Sequence, residues 1–272
     1  MILSSLQNGR IKNVIKLANR RQRDSQRLTV VEGAREVERA LNSGIVPREA
    51  FICAEIVATS ADSATAVYLL QEMAAAGHTD LHHVTPDLFQ KMAYRGKSGG
   101  VLMTVPYWGK PLDKLIAPSF VVVIEGGEKP GNLGAILRTA DAAGVDAVIL
   151  CGAGTDMYNP NAIRASLGAI FSVAVAQAET TAVIAWLQAQ QFNTVAATPA
   201  AEQLYYDVEM GGKTAVIMGS EADGLTDEWL TAADTQVAIP MHGIVDSLNL
   251  SVSTALLLYE VVRQRRRKTI NN

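Results

Sequence analysis

The sequence has few cysteines and no long apolar segment, and each absence excludes a class of protein. Only Cys53 and Cys151 are cysteines, and two thiols so far apart cannot build a disulfide framework. No apolar run reaches the roughly 20 residues that a membrane-spanning helix needs. The start of the chain also lacks the apolar core of a secretory signal. These absences predict a globular, cytoplasmic protein.

Charged residues are scarce as well, at 19% of the chain, with a formal net charge of -3. Half of the basic residues nevertheless fall in two short segments. Seven lie between Arg10 and Arg27 against a single acid, and five lie between Arg263 and Lys268 with no acid among them. Such segregation is expected of a protein that binds a phosphate backbone. Two solvated helix faces would give the same pattern.

The chain divides near residues 106–118, where prolines and a glycine interrupt the periodicity. This break predicts a first domain over 1–106, a linker over 107–118 and a second domain over 119–272. In the first domain, basic residues recur at helical spacing and predict one face of a helix that meets RNA phosphates. The predicted RNA-binding residues are Arg10, Lys12, Lys16, Arg20, Arg23 and Arg27.

In the second domain, apolar strands alternate with helices, which predicts an α/β fold with a mostly parallel sheet. Strands are expected at 119–125, 146–151, 171–176, 193–197, 214–218 and 235–239. Helices are expected at 133–143, 160–168, 180–191, 226–233 and 250–266. No complete Gly-x-Gly-x-x-Gly follows the first strand, which argues against a nicotinamide-dependent oxidoreductase.

Polar residues follow three of these strands, each just before or within a helix. They are Asn132 and Arg138, then Glu221, then Ser247 and Asn249. Small ligands bind outside the carboxyl ends of the strands of an open α/β sheet, so we expect one composite site. Each residue also has a plain structural interpretation: helix caps for the Asn and Ser residues, a solvated loop for the Glu and a surface ion pair for the Arg.

Together these segments resemble the three motifs of the SpoU/TrmH branch of the SPOUT RNA methyltransferases. The resemblance rests on Asn132–Gly144, on Gly219-Ser-Glu221 with Gly224-Leu225, and on Ile239-Pro-Met241 through Ser247-Leu-Asn249 to Glu260. The chain departs from the common pattern at Ala222 and Ser253. The resemblance implies a trefoil knot, a homodimer, and transfer of a methyl group from S-adenosylmethionine to a ribose 2′-hydroxyl.

The resemblance also implies a role for each residue. Asn132, Arg138, Glu221, Ser247 and Asn249 are expected to be catalytic, and Gly219, Ile239, Met241 and Leu248 to bind the cofactor. Ile239 and Leu248 could equally be ordinary core residues. Because arginine stays protonated in proteins, Arg138 is expected to stabilise an alkoxide electrostatically rather than act as a base.

The first domain resembles the L30e-like substrate-binding domain that is often attached to these enzymes. The resemblance rests on Asn8-x-Arg10-x-Lys12 and on Val31-Glu-Gly-x-Arg35-x-Val37. Such a domain favours 23S ribosomal RNA as substrate, with transfer RNA as an alternative and a non-catalytic RNA-binding protein as another. His78, His82, His83 and His242 lack the spacing of a metal site, so no metal is expected.

Overall fold

A computed structural model describes residues 2–94, 98–127, 129–152 and 154–271 of the chain. In chain order, its first elements are β1 (Ile2–Leu3), α1 (Gly9–Lys16), α2 (Arg20–Gln26), β2 (Leu28–Glu32), α3 (Ala34–Asn42), β3 (Glu49–Ile52), α4 (Ala54–Val57), α5 (Ala64–Ala75), β4 (Asp80–Val84), α6 (Pro86–Met92) and β5 (Val101–Pro106). A 3-10 turn, Leu112–Lys114, follows.

The remaining elements begin after this turn. They are β6 (Phe120–Glu125), α7 (Pro130–Ala143), β7 (Ala147–Cys151), α8 (Pro160–Ala165), α9 (Ala169–Ser172), β8 (Ala174–Ala178), α10 (Thr180–Ala189), β9 (Asn193–Ala197), β10 (Thr214–Met218), α11 (Asp227–Ala232), β11 (Thr235–Val237) and α12 (Leu250–Asn271). In the described part of the chain, no helix combines the length and the apolar character needed to cross a lipid bilayer.

The chain forms two compact units. The first comprises the residues up to Trp108 together with Asp156–Ser172, and the second comprises Gly109–Thr155 and the chain from Val173 onward. The predicted domain limits stay a prediction. The contacts add a feature that the sequence did not indicate, because Asp156–Ser172 packs with the first unit although it follows β7 of the second.

The first unit contains a mixed sheet in the strand order β1-β4-β3-β5-β2. β4 runs parallel to β1 and β3, whereas β5 runs antiparallel to β3 and β2. One face of the sheet packs on α1 and α6 through a cluster that includes Ile11, Leu17, Phe51 and Phe89, all fully buried. Burial of these large apolar side chains is the main source of the unit's stability.

The second unit contains a parallel sheet in the order β11-β9-β10-β6-β7-β8. This arrangement confirms the predicted α/β class with a mostly parallel sheet. Its central strands are buried on both faces, which explains their continuous apolar runs, such as Phe120–Glu125 and Thr214–Met218. The chain reverses its strand order between β6 and β10, and ligands of open α/β sheets bind at such a switch point.

The expected strand at 171–176 is partly wrong. A short helix, α9, ends at Ser172, and the strand runs over Ala174–Ala178. The segment from Ile170 to Val175 is a short apolar run, and such a run fits a buried strand or a buried helical turn equally well. Its packing in the first unit up to Ser172 decides between the two.

Candidate methyl-transfer site

The carboxyl ends of β6 and β10 lie side by side, and each strand is followed by a loop that leads to a helix. After β6 the chain enters α7, whose first turn contains Asn132. After β10 it forms the loop that contains Glu221. The start of α12 reaches the same place, because Asn249 contacts both side chains. The three predicted segments therefore meet within one unit.

The loop after β10 is a tight hairpin closed by two backbone hydrogen bonds between Ser220 and Gly224, both 3.1 Å long. A Cβ atom on Gly219 would lie 2.1 Å from the carbonyl carbon of Gly224, so no larger residue fits there. Gly219 was expected to bind the cofactor, for which a residue without a side chain would allow close approach. The structure gives a different reason, since the chain's own backbone occupies that space. The positive φ of this loop falls on Gly224 and not on Ala222, so alanine is accommodated without strain.

Asn132, Glu221 and Asn249 form a hydrogen-bonded cluster. The amide nitrogen of Asn249 donates to Oδ1 of Asn132 at 3.0 Å and to Oε1 of Glu221 at 2.5 Å. The backbone N–H of Leu250 also points at Oε1 of Glu221, at 3.4 Å. The side-chain amide of Asn132 contacts the same carboxylate. These bonds fix the relative positions of the three segments.

Asn249 is both a helix cap and a member of this cluster. Its Oδ1 accepts from the backbone N–H of Ser251 at 3.0 Å, which is the usual cap of a helix N-terminus. Since Oδ1 is used for the cap, the amide nitrogen is left to donate across the site. Asn132 does not cap a helix. α7 begins at Pro130, so the expected start at 133 is wrong and Asn132 lies within its first turn.

Glu221 is held in its ionised form. The ammonium of Lys129, 3.0 Å from Oε2, contributes most to lowering the pKa of this carboxyl, followed by Asn132 and the N–H of Leu250. An ionised carboxylate accepts hydrogen bonds but cannot donate one, so Glu221 is an acceptor for its neighbours in the cluster. Lys129 was not predicted from the sequence. Its position directly before Pro130, at a strand-to-helix turn, was the available signal.

Arg138 and Ser247 lie outside the cluster. Arg138 is exposed and sits six residues after Asn132 on α7, about 9 Å further along the axis and on another side of the helix. Ser247 is exposed in the segment before α12. Within the described residues, no hydrogen bond or ion pair of either side chain is found. One chain therefore brings together three of the five predicted catalytic residues.

Ile239, Met241 and Leu248 are half-buried and belong to the irregular segment between β11 and α12. Half-buried apolar side chains can cover one face of an aromatic ring, and irregular backbone offers N–H and C=O groups to its edge. With the hairpin at Gly219, this segment supplies apolar side chains and irregular backbone of the kind that an adenosyl group needs. The residues present therefore fit S-adenosylmethionine.

The predicted basic face of the first unit is not continuous. Asn19 accepts a hydrogen bond from the N–H of Arg21 and caps α2, so α1 and α2 are separate helices. Arg23 is 1% exposed, and the prediction that it faces RNA is wrong. Its guanidinium donates to the carbonyls of Leu17 and Ala18 at the end of α1 and pairs with Asp156. A helix C-terminus has unsatisfied carbonyls, and a buried arginine satisfies two of them here.

The other predicted RNA contacts are exposed, and several have partners. Arg10 pairs with Glu49 at 2.9 Å, Lys12 donates to Gln7 at 2.5 Å, Arg20 lies 3.6 Å from Asp24, Arg27 covers the ring of Tyr107 at 4.9 Å, and Lys16 is exposed at the end of α1. A pair between two exposed side chains, such as Arg20 with Asp24, exchanges readily with solvent or with a phosphate, whereas Arg10 is held by the nearly buried carboxylate of Glu49. RNA binding by these residues stays a prediction.

A cluster near Arg10 was not expected from the histidine spacing. Ligand atoms of Glu49, Asp80 and His82 lie within 4.8 Å of one another. The guanidinium of Arg10 contacts both carboxylates, at 2.9 and 3.8 Å. A resident cation therefore already balances these acids, as a metal ion would.

The basic end of α12 is also partly engaged. Arg265 donates to the carbonyls of Ser119 and Gly212 and covers the ring of Phe120, and Arg263 forms a bidentate pair with Glu260. The contacts of Arg265 hold α12 against the rest of the second unit, whereas the Arg263 pair lies within the helix. They leave Arg266 and Arg267 as exposed cations of this segment.

Comparison with known proteins identifies the family. The model of the SpoU rRNA Methylase family matches residues 119–259, and that of the MRM3-like substrate binding domain matches residues 8–103. The chain belongs to the SpoU rRNA methylase family. The expected SPOUT fold class and the expected N-terminal substrate-binding domain are therefore confirmed.

Among the relatives of this SpoU family member is the 23S rRNA (guanosine(2553)-2′-O)-methyltransferase RlmP of Bacillus subtilis. The two are 26% identical over 260 residues, which is 95% of this chain and 98% of that protein. A solved RNA 2′-O ribose methyltransferase is 39% identical, with a TM-score of 0.78 over 98% of this chain and 100% of that one. The AdoMet-bound rRNA methyltransferase of Sinorhizobium meliloti is 28% identical, with a TM-score of 0.87 over 97% of each chain.

Proposed function

We propose that this protein transfers the methyl group of S-adenosylmethionine to a ribose 2′-hydroxyl in 23S ribosomal RNA. The observation that carries the proposal is the cluster of Asn132, Glu221 and Asn249, which joins three loops at the switch point of a parallel sheet. Membership of the SpoU rRNA methylase family supports the reaction type. A relative that spans nearly the whole chain and modifies 23S ribosomal RNA supports the substrate.

The hairpin at Gly219 and the segment containing Ile239, Met241 and Leu248 are assigned to the cofactor. The half-buried apolar side chains of this segment would cover the adenine, and its backbone groups would bind the edge of the ring. When bound there, the cofactor supplies a methyl group already activated for transfer. The contribution of the protein is to hold the acceptor oxygen in line and to exclude competing water.

The acceptor hydroxyl is weakly acidic, so the site must stabilise the oxygen as its proton passes to solvent. Arg138 supplies a permanent positive charge for this purpose and binds the neighbouring phosphate. Ser247 and Asn132 are assigned to orient the ribose by hydrogen bonds. Asn249 and Glu221 keep the three loops in position, because each of them bonds residues of the other segments.

Binding of the folded RNA is assigned to the first unit, through the exposed cations Arg10, Lys12, Lys16, Arg20 and Arg27. Its match to a substrate-binding domain supports this division of labour. Phosphate contacts position an RNA and make its affinity depend on salt. A cytoplasmic location is part of the proposal.

A homodimer completes the proposal. Val252, Leu256 and Tyr259 are exposed by 47%, 36% and 49% and recur along one side of α12, as an apolar interface requires. Arg138 lies away from the cluster of its own chain, so we assign it to the site of the second copy.

Mixing two inactive variants, Arg138→Ala and Asn249→Ala, should then restore about a quarter of the activity, because half of the dimers are hybrid and each has one intact site. No restored activity would place Arg138 in the site of its own chain.

The substrate is tested by mapping 2′-O-methylated positions in total RNA from cells with and without the gene. One position in 23S ribosomal RNA should lose its methyl group, and purified protein with labelled S-adenosylmethionine should restore it. Loss of a methyl group from transfer RNA alone would support the alternative substrate. An unchanged methylation map, with RNA binding intact, would support a non-catalytic RNA-binding protein.

A further inference from the structure

Lys129 occupies a position where its side chain is unfavourable for the helix it precedes. It is the N-cap residue of α7, makes no capping hydrogen bond, and the first turn of that helix contains no acid. Asn, Asp and Ser are the favoured caps, and a cation at this end opposes the helix dipole. Asparagines cap α1, α2 and α8 in the ordinary way. An unfavourable residue at a site of this kind is expected where function requires it.

The ammonium of Lys129 contacts the centre of the cluster. It lies 3.0 Å from Oε2 of Glu221, while Oε1 of the same carboxylate accepts from Asn249 at 2.5 Å. The two oxygens are thus divided between the segment before α7 and the start of α12. Through Glu221, Lys129 acts on the position of Asn249 without touching it.

Orientation, rather than stability, is the effect of this pair. The side chain of Lys129 is 79% exposed, and an exposed ion pair adds little to folding stability. The terminal torsion of a glutamate side chain is broad and weakly restrained. A cation bound to one oxygen restrains that torsion and keeps the other oxygen directed at Asn249. The loop that ends at Asn249 contains Met241 and Leu248, which are assigned to the cofactor.

We propose that Lys129 is a positioning residue, which acts through Glu221 to hold the loop ending at Asn249 in the geometry that binds S-adenosylmethionine. The inference rests on the proposed function, because it names a residue that supports the assigned cofactor site. It predicts that stability and cofactor affinity respond to the same substitution in opposite directions.

The test is the variant Lys129→Asn, which removes the cation and introduces a favourable cap. Its Tm should rise by about 2 °C. Its Kd for S-adenosylmethionine, measured by calorimetry on the full-length protein, should increase about two- to fivefold. Lys129→Arg retains a cation and should bind the cofactor as the wild type does. Lys114→Asn makes the same change at an exposed lysine that forms no ion pair with a described residue, and it should leave the Kd unchanged.

Three results would overturn the inference. A raised Tm with an unchanged Kd would mean that the ion pair has no effect on the loop. An unchanged Kd with a higher KM for RNA and a flatter salt dependence would make Lys129 a direct phosphate contact instead. Failure of the wild-type protein to bind S-adenosylmethionine would overturn the proposed function itself, and the wild-type titration separates this case from the first two.

Discussion

Replacing Arg23 with methionine should destabilise the first unit strongly, although Arg23 was predicted from the sequence to be an exposed RNA contact. Its side chain is 1% exposed, and its guanidinium binds the carbonyls of Leu17 and Ala18 and the carboxylate of Asp156. Methionine has a similar length and would fill the space without restoring any of these bonds. The substitution leaves a nearly buried carboxylate and two carbonyls without their donor.

The size of the expected destabilisation follows from the surroundings of Asp156. Removing one partner of a buried ion pair costs about 3–5 kcal/mol. Asp156 is 12% exposed and still accepts a hydrogen bond from the N–H of Tyr158, so its charge is partly compensated after the substitution. We therefore expect the lower end, about 3 kcal/mol, which lowers the folding equilibrium roughly a hundredfold. Arg21→Met, two residues earlier in the chain but exposed, should change stability by less than about 0.5 kcal/mol.

Urea denaturation followed by amide hydrogen exchange measures the loss of stability of the first structural unit separately from that of the second. Exchange should accelerate in peptides from α2 and from Asp156–Ser172, which Arg23 joins, before it accelerates in the parallel sheet. The slope of RNA affinity against salt should stay at the wild-type value under conditions where the variant is folded. Equal urea midpoints for the Arg23 and Arg21 variants would refute the reasoning, as would a lower salt slope for the Arg23 variant alone.

Three further predictions concern the proposed site and the RNA surface. Arg138→Ala should abolish methyl transfer while the Kd for S-adenosylmethionine in calorimetry stays close to wild type; a large decrease in cofactor affinity would instead assign Arg138 to the cofactor. Gly219→Ala should weaken cofactor binding about tenfold, because its Cβ would lie 2.1 Å from the backbone across the hairpin. Gly212→Ala, where a Cβ meets no atom within 4 Å, is its control, and equal Kd values would contradict the steric argument. Replacing Lys12 and Lys16 with alanine should lower the log–log salt slope of RNA binding by about 0.7–0.9 for each phosphate that is no longer neutralised; an unchanged slope would mean that these lysines face only solvent.

The strands of the second unit were predictable because buried parallel strands appear in a sequence as apolar runs between turn residues. The expected strands at 193–197 and 214–218 coincide with β9 and β10. The helix at 250–266 was correctly placed at its start and continues to Asn271. The segment at 171–176 failed, since a short apolar run carries no periodicity that separates a strand from a helical turn. The trefoil knot stays an expectation of the family resemblance.

The candidate site was also predictable only in part. Local motifs were enough to select Asn132, Glu221 and Asn249, because a strand followed by a polar loop and a helix is a pattern of neighbouring residues. The pairing of Glu221 with Lys129 was not predictable, since the two are 92 residues apart and no periodicity relates them. Helical spacing also suggested that Arg23 lies on an exposed face, and an asparagine cap four residues earlier broke the helix that the spacing assumed.

The sequence by itself determined the α/β class of the second unit, the family, and the loops that form the candidate site, because each depends on residues close together along the chain. The tertiary structure alone decided which polar groups are used inside the molecule and which remain for a ligand. It buried Arg23, divided the amide of Asn249 between a helix cap and Glu221, and placed Arg138 apart from the cluster. The physical reason is that burial and hydrogen bonding depend on distance in space, and packing within each unit brings distant parts of the chain within that distance.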